Sequence, residues 1–339
     1  MIMSRRSMVN VVIALAGFAA ATPAVGQVLI QYPPVEMHKL ESKAVGDVFE
    51  IRVLLPPMIP GEQTRFPVLY MTDVNGEFWL ADLLKAMMSN EAVPRFIAVG
   101  IGYPGAAGLS QALAMRQRDL TPVAAEGYVG LSGSPIAGIR KPNIASGGGP
   151  RFLDFIRDEL IPFIDARYPT NPKDRGFGGD SYGGLFGSYV LFTKPDTFNR
   201  YIFGSPSIWW ANGYVRKLAE QYVKTHDELA VTLYLGVGGL ESTEIQMNVL
   251  NLERLLRSKK FPGLQLTTYV FPDETHITVA YMNLIRGVVS VYGPPAPGDG
   301  LMDSSSISHR AVSGPQSRLM VESGFQQLIN VCELMSQNP

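Results

Sequence analysis

Hydrophobic and polar positions change period repeatedly along this chain, and each change marks an element. From Val48 to Leu55 (VFEIRVLL) apolar and charged residues alternate, the two-residue period of a strand with one covered face. Short, mainly apolar runs at 67–72, 96–101 and 200–203 predict strands buried on both faces. Two more strands are predicted from Val231 to Gly239 (VTLYLGVGG) and from Leu264 to Phe271 (LQLTTYVF). Between them the period lengthens. Phe152, Phe155, Ile156, Leu160, Phe163 and Ile164 recur at the three-and-four spacing of an amphipathic helix, which Pro162 should kink or restart. Arg175 to Gly178 reads as a strand end, and Leu185, Tyr189 and Leu191 follow as a helix. Strands alternating with helices predict the α/β class, a mostly parallel central sheet flanked by helices, with its ligand site at the carboxyl ends of the strands.

At one such strand end stands Gly179-Asp180-Ser181-Tyr182-Gly183, the one G-x-S-x-G of the chain. A serine raised on a turn too sharp for ordinary backbone angles needs neighbours two residues away with almost no side chain, and glycine meets that need on both sides. The turn feeds a helix, so the Tyr182 N–H points toward the reacting oxygen and is a candidate oxyanion donor. Ser181 is therefore the candidate nucleophile of a serine hydrolase. The bland alternative is a tight strand-to-helix turn that happens to hold a serine.

A nucleophilic serine needs a base, and there are four histidines: His38, His226, His276 and His309. His38 lies in the N-terminal lead-in, His309 in a Ser/Pro/Gly-rich tail, and His226 in the charged segment Lys224 to Glu228. His276 follows the last predicted strand, on the loop Pro272 to His276 (PDETH), giving the chain order serine, acid, histidine of the α/β-hydrolase arrangement. The acid belongs after the strand between them, where Glu241 is the first choice; Glu244, Asp273, Glu274 or a Ser/His dyad are the alternatives. Glu244 also fits first-turn helix charge behind Ser242.

Composition narrows the partners. With 339 residues, 46% hydrophobic content and a formal net charge of −1, the chain can bury a large core and offers no electrostatic case for nucleic acid. The isolated histidines form no H-x-x-x-H or H-x-H cluster, so no metal is expected. Arg5 and Arg6, an apolar run from Val11 to Ala21, and small residues at Ala24 and Gly26 read as an export signal over 1–26, cleaved rather than kept in the membrane. The mature chain is then expected in the periplasm or secreted. Cys332 is the only cysteine, so no internal disulfide can form. From Gly293 a Pro/Gly-rich stretch and a serine cluster read as a linker, which places a catalytic domain at 27–293 and a C-terminal extension at 294–339.

The segment from about Tyr103 to Pro150, rich in Gly, Ala and Pro, reads as an insertion bordering the site. Its Arg116, Arg118, Arg140 and Lys141 could wall a pocket for an anionic substrate, with Arg118 the candidate contact, or be ordinary solvated charge. Trp209 and Trp210 could stack on an aromatic acyl group or simply pack at a strand end.

Several blocks together resemble a known family. They are 67–73 (PVLYMTD), 118–122 (RDLTP), 151–165 (RFLDFIRDELIPFID), 179–186 (GDSYGGLF), 204–210 (GSPSIWW) and 274–276 (ETH). From about Leu40 to Tyr292 the chain is similar to the esterases of the esterase D and enterochelin esterase type, within the α/β-hydrolase fold. The resemblance implies carboxylic-ester hydrolysis of a small-molecule substrate without a cofactor, Ser181 as nucleophile and His276 as base, and a likeness to periplasmic enzymes that open siderophore ester bonds. Where members commonly carry Leu-Asp-Gly, this chain has Thr72-Asp73-Val74-Asn75-Gly76, and that loop donates the second oxyanion amide, assigned to Asn75 or Val74. An acyltransferase, a feruloyl or acetyl carbohydrate esterase, and a non-catalytic ligand-binding protein of the same fold are the alternative readings.

Overall fold

The central strands are apolar on both faces, and helices cover both faces in the computed structural model, which describes residues 33–74, 80–104, 109–125 and 145–293. The strands are β1 (Glu36–Ser42), β2 (Asp47–Leu54), β3 (Phe66–Met71), β4 (Ile97–Gly102), β5 (Thr170–Asp180), β6 (Arg200–Gly204), β7 (Thr232–Gly238) and β8 (Gln265–Phe271). They form one sheet in the order β1-β2-β4-β3-β5-β6-β7-β8. β1, β2 and β4 pair antiparallel, and the remaining pairings, from β4–β3 to β7–β8, are parallel.

Because side chains alternate across a strand, each run feeds two cores. Val68 and Tyr70 of β3 enter one cluster while Leu69 and Met71 enter the other, and in β6 Tyr201 and Phe203 oppose Ile202. The second, smaller cluster is closed by α1 (Ala81–Ser89) and α8 (Thr278–Tyr292). The larger one is closed by α3 (Gly149–Asp154), α5 (Tyr182–Thr193), α6 (Trp210–Thr225) and α7 (Thr243–Lys259). This double covering explains why β3, β4 and β6 read as unbroken apolar runs.

Three expectations change. The helix read from Phe152 to Ile164 runs as α3, a π-helical segment (Phe155–Leu160) and α4 (Ile161–Asp165). Pro162 has no N–H to give the preceding turn, and the backbone widens into π turns just before it rather than breaking. Within the stretch read as an irregular insertion, α2 (Leu109–Leu120) forms, because Ala112, Ala114, Met115 and Gln117 favour helix even though polar residues blur its apolar stripe. His38, read as part of the lead-in before the first predicted strand, lies half-buried in a strand, β1, with Nε2 2.6 Å from the Tyr168 hydroxyl. The export signal, Arg140, Lys141 and the extension at 294–339 lie outside the described residues.

α5 is the helix that positions the site, and it is buried along almost its whole length. Its close approach to the sheet depends on Gly187, where an added Cβ would sit 2.5 Å from a Phe203 ring carbon and 2.9 Å from the Phe177 ring. Alanine in a helix interior gains about 1 kcal/mol over glycine, but overpacking a core costs about 1–3 kcal/mol. Both rings are fully buried and cannot retreat, so the second effect wins. Gly187→Ala should therefore lower the urea midpoint of unfolding at unchanged m-value, with a loss of up to about 2 kcal/mol of unfolding free energy. An unchanged or higher midpoint would show that the helix can lift off the sheet at no cost.

Candidate active site

β5 ends at Asp180 and α5 begins at Tyr182, so Ser181 alone makes the turn, at φ 58° and ψ −112°. Such a conformation costs a non-glycine residue about 1–3 kcal/mol and persists only where its surroundings impose it. Here both backbone groups of Ser181 are engaged. Its N–H donates to the Gly204 carbonyl (2.8 Å), and its carbonyl accepts from Leu185 N–H (2.9 Å) and Ser207 N–H (3.1 Å). The turn is so tight that a Cβ at Gly179 would lie 2.6–2.8 Å from the Gly183 backbone, and one at Gly183 would lie 2.5 Å from Thr72 Oγ1. Ser181 Oγ itself is 3.3 Å from Ser207 Oγ.

His276 sits on the loop between β8 and α8. Its Nδ1 is 2.6 Å from Glu241 Oε2. Glu241 is held from its other oxygen, Oε1, which accepts from the Gly238 N–H (2.8 Å) and from the Ser205 hydroxyl. Leu240 N–H donates to the Glu274 carbonyl (3.0 Å) and Gly239 N–H to the Phe271 carbonyl (2.7 Å), so the loops after β7 and β8 are stitched together. With Nδ1–H given to the carboxylate, Nε2 is left as the basic nitrogen. Ser181 and His276 border the same cavity, of about 340 Å³, whose walls are otherwise mostly apolar.

The alternatives for the acid fall elsewhere. Glu244 lies exposed in the first turn of α7, where Ser242 Oγ caps the helix by accepting from Ile245 N–H, and Asp273 is exposed on its loop. Tyr182 is the first residue of α5, so its N–H is one of the helix's donors without an intrahelical acceptor. Asn75 lies outside the described residues, and Val74 beside it is buried. Trp210 is fully buried, donates from Nε1 to the Val123 carbonyl (2.9 Å) and meets the Tyr182 ring edge-on at 5.4 Å. The Trp209 ring lies 6.1 Å from that of Trp210 and 6.3 Å from that of Tyr182, and neither indole is among the described residues that border the cavity.

Arg118 is likewise drawn away from the cavity. Its guanidinium donates to both oxygens of Asp119 (2.7 and 2.8 Å) and to Asp47 (2.9 Å), which ties α2 to β2. Arg116, two residues earlier, takes the place at the wall. It donates to both oxygens of Asp73 (2.5 and 3.0 Å) and to the Asp180 carbonyl (2.8 Å), and its Cζ lies 5.2 Å over the Tyr182 ring. One side chain thereby joins the loop after β3 to both flanks of Ser181. Sequence reasoning passed over Asp180, Ser205, Ser207 and Asn283 as site residues. Asp180 stood inside the G-x-S-x-G and the two serines inside 204–210, but no spacing along the chain reports a contact between β6 and the loop after β7.

The family described as Putative esterase matches residues 42–276. The chain is 29% identical over 276 residues to the ferri-bacillibactin esterase BesA of Bacillus subtilis (strain 168), covering 78% of this chain and 92% of that one. It is 33% identical over 211 residues to the siderophore triacetylfusarinine C esterase of Aspergillus fumigatus, covering 59% of this chain and 66% of that one. The crystal structure of the BES protein from Bacillus cereus superposes with a TM-score of 0.66 at 27% identity, over 78% of this chain and 98% of that one. No helix among the described residues is long and apolar enough to cross a membrane.

The Glu241–His276 pair has a definite pH window. Burial pushes the Glu241 carboxyl up, but hydrogen bonds from His276, Ser205 and Gly238 outweigh it and hold the group below its ordinary 4.5. Burial pushes the imidazole down, and the Glu241 hydrogen bond with the charges of Asp180 and Glu241 outweighs it, so His276 stands above its ordinary 6.5. A lowered carboxylate contributes stability above about 4.5, lost as pH falls through its folded value; a raised imidazole contributes below about 6.5, lost as pH rises through its own. Both contributions are complete together only between those limits. Glu241→Gln should thus show its largest melting-temperature deficit between pH 4.5 and 6.5, shrinking above, as measured by calorimetry across pH. A deficit independent of pH would mean that the pair is not ionic.

Proposed function

The chain belongs to the Putative esterase family of carboxylic-ester hydrolases, and on that premise we propose that it opens siderophore-type esters through an acyl-enzyme on Ser181. The observation that carries the residue roles is the 2.6 Å contact of Glu241 with His276 Nδ1, beside a cavity that Ser181 and His276 share. Ser181 Oγ attacks the ester carbonyl while His276 Nε2 takes its proton. The tetrahedral oxyanion is met by the Tyr182 N–H at the start of α5 and by an amide of the loop after β3, at Val74 or Asn75. His276 returns the proton to the departing alkoxide, the ester C–O bond breaks, and the acyl group remains on Ser181. Water then attacks the acyl-enzyme with its proton again going to Nε2, which releases the acid and restores the serine. Glu241 keeps the imidazole in the required tautomer and stabilises its protonated form.

Two curated relatives named for siderophore ester cleavage support the substrate class. The basic N-terminal pair and apolar run at 5–21 support export, with the catalytic domain at 27–293 acting in the periplasm or outside the cell. Replacing Ser181 with Ala should lower kcat/KM on aryl esters by several orders of magnitude and abolish labelling by a fluorophosphonate, with the melting temperature nearly unchanged. Retained hydrolysis overturns the nucleophile. In a panel of ferric siderophore esters, feruloyl sugars and acetyl sugars, the siderophore esters should give the highest kcat/KM, and a preference for the sugars overturns the substrate class.

A further inference from the structure

Asp180, between Gly179 and Ser181, is a carboxylate that the scheme above does not use. It borders the same cavity as Ser181 and His276. Its orientation is built into the fold. Asn283 of α8, buried, donates from Nδ2 to Asp180 Oδ1 (3.2 Å) and accepts the Tyr234 hydroxyl at Oδ1 (3.4 Å). Room for this trio exists only because two neighbouring strands carry glycine: a Cβ at Gly204 of β6 would collide with Asp180 Oδ1, and one at Gly236 of β7 would collide with Asn283 Oδ1. The same Asn283 thus fixes the carboxyl against the floor of the cavity.

The charged and titratable groups around it are otherwise matched. From α2, Arg116 gives its guanidinium to Asp73 and to the backbone carbonyl of Asp180 rather than to the Asp180 carboxylate. From the β7–α7 loop, Glu241 is held by His276, Ser205 and Gly238. Tyr234 of β7 and Tyr103 after β4 are both held well above their ordinary range, first by burial, and stay neutral. Burial lifts the Asp180 carboxyl to about 6, against the opposing pull of the His276 charge and the Asn283 hydrogen bond. In return the Asp180 charge helps lift the His276 imidazole.

We propose that Asp180 is a positioning residue for the base: its carboxylate, seated by Asn283 over Gly204 at the cavity it shares with His276, is a second counter-ion that stabilises the imidazolium of His276 as it forms. The inference rests on His276 being the base of the esterase reaction. In the ground state the imidazole is neutral and gains little from the carboxylate; in the transition state it is cationic and gains a full charge interaction beside a cavity with mostly apolar walls. The active form then requires a neutral His276 and an ionised Asp180, so falling pH adds a proton to the pair as a unit.

The test is Asp180→Asn, which keeps the shape and the acceptor for Asn283 and removes the charge; Asp180→Ser serves if the amide variant does not fold. Both kcat and kcat/KM for an aryl ester are measured from pH 4 to 9, and the His276 imidazole is titrated by NMR without substrate. Loss of the carboxylate should move the acid limb and the imidazole titration down by about one pH unit and lower the plateau kcat about tenfold, with KM little changed. An unmoved imidazole titration, or an unchanged plateau kcat, overturns the proposal. Because the titration needs no turnover, it fails independently of the esterase assignment, which Ser181→Ala tests by itself.

Discussion

One residue held where L-amino acids rarely go underlies the site. Ser181 sits at φ 58° and ψ −112°, and nothing local favours that geometry. It is imposed from both ends, by the parallel pairing of β5 with β3 and β6 and by burial of α5 against the sheet. The strand cannot shift without breaking ladder bonds, and the helix cannot retreat without exposing Leu185, Phe186 and Leu191. The turn between them therefore has no freedom, and the serine is presented at the sheet's edge with both backbone groups bonded. A strain of about 1–3 kcal/mol is small beside the burial that enforces it.

Sheet order turns this local constraint into a constellation. β5, β6, β7 and β8 are consecutive neighbours in the sheet, all parallel, so their carboxyl ends open at one edge. β5 delivers Asp180 and Ser181, the turn after β6 delivers Ser205 and Ser207, the loop after β7 delivers Glu241, and the loop after β8 delivers His276. Each group is tied to its neighbour by a bond across that edge: Ser181 to Ser207, Ser205 to Glu241, Glu241 to His276. In this arrangement Glu241 and His276 already meet, with no movement toward each other needed. Its energetic demand is the burial of carboxylates, met by three donors at Glu241 and by Asn283 at Asp180.

Much of this was readable along the chain. The apolar runs at 67–72, 96–101 and 200–203 became β3, β4 and β6, and the two later predicted strands became β7 and β8 within a residue at each end. Strands buried on both faces write an unbroken signal, and a serine elbow writes its glycines. β1 was missed because its half-buried alternation is largely charged, and α2 because helix propensity without a clear stripe resembles loop composition. At the site, Ser181 was read from its glycines and His276 and Glu241 from chain order, and the structure brings Glu241 to His276 beside the cavity that Ser181 borders, whereas Trp210 and Arg118 were drawn toward the substrate by residue type alone. In the structure the indole is a core side chain bonded to Val123, and the guanidinium is held by Asp119 and Asp47.

The amino-acid order by itself determined the α/β alternation, the elbow and the succession of Ser181, Glu241 and His276 after successive strands, because these depend on periodicity and on residues within a few positions of one another. Only the tertiary structure decided which polar side chains meet. Arg116 rather than Arg118 faces the cavity, Ser205 supports Glu241, and Asn283 seats Asp180, 103 residues away. Those contacts arise between elements distant in the chain, and they are set by strand order and by space left at glycines, which no local pattern encodes.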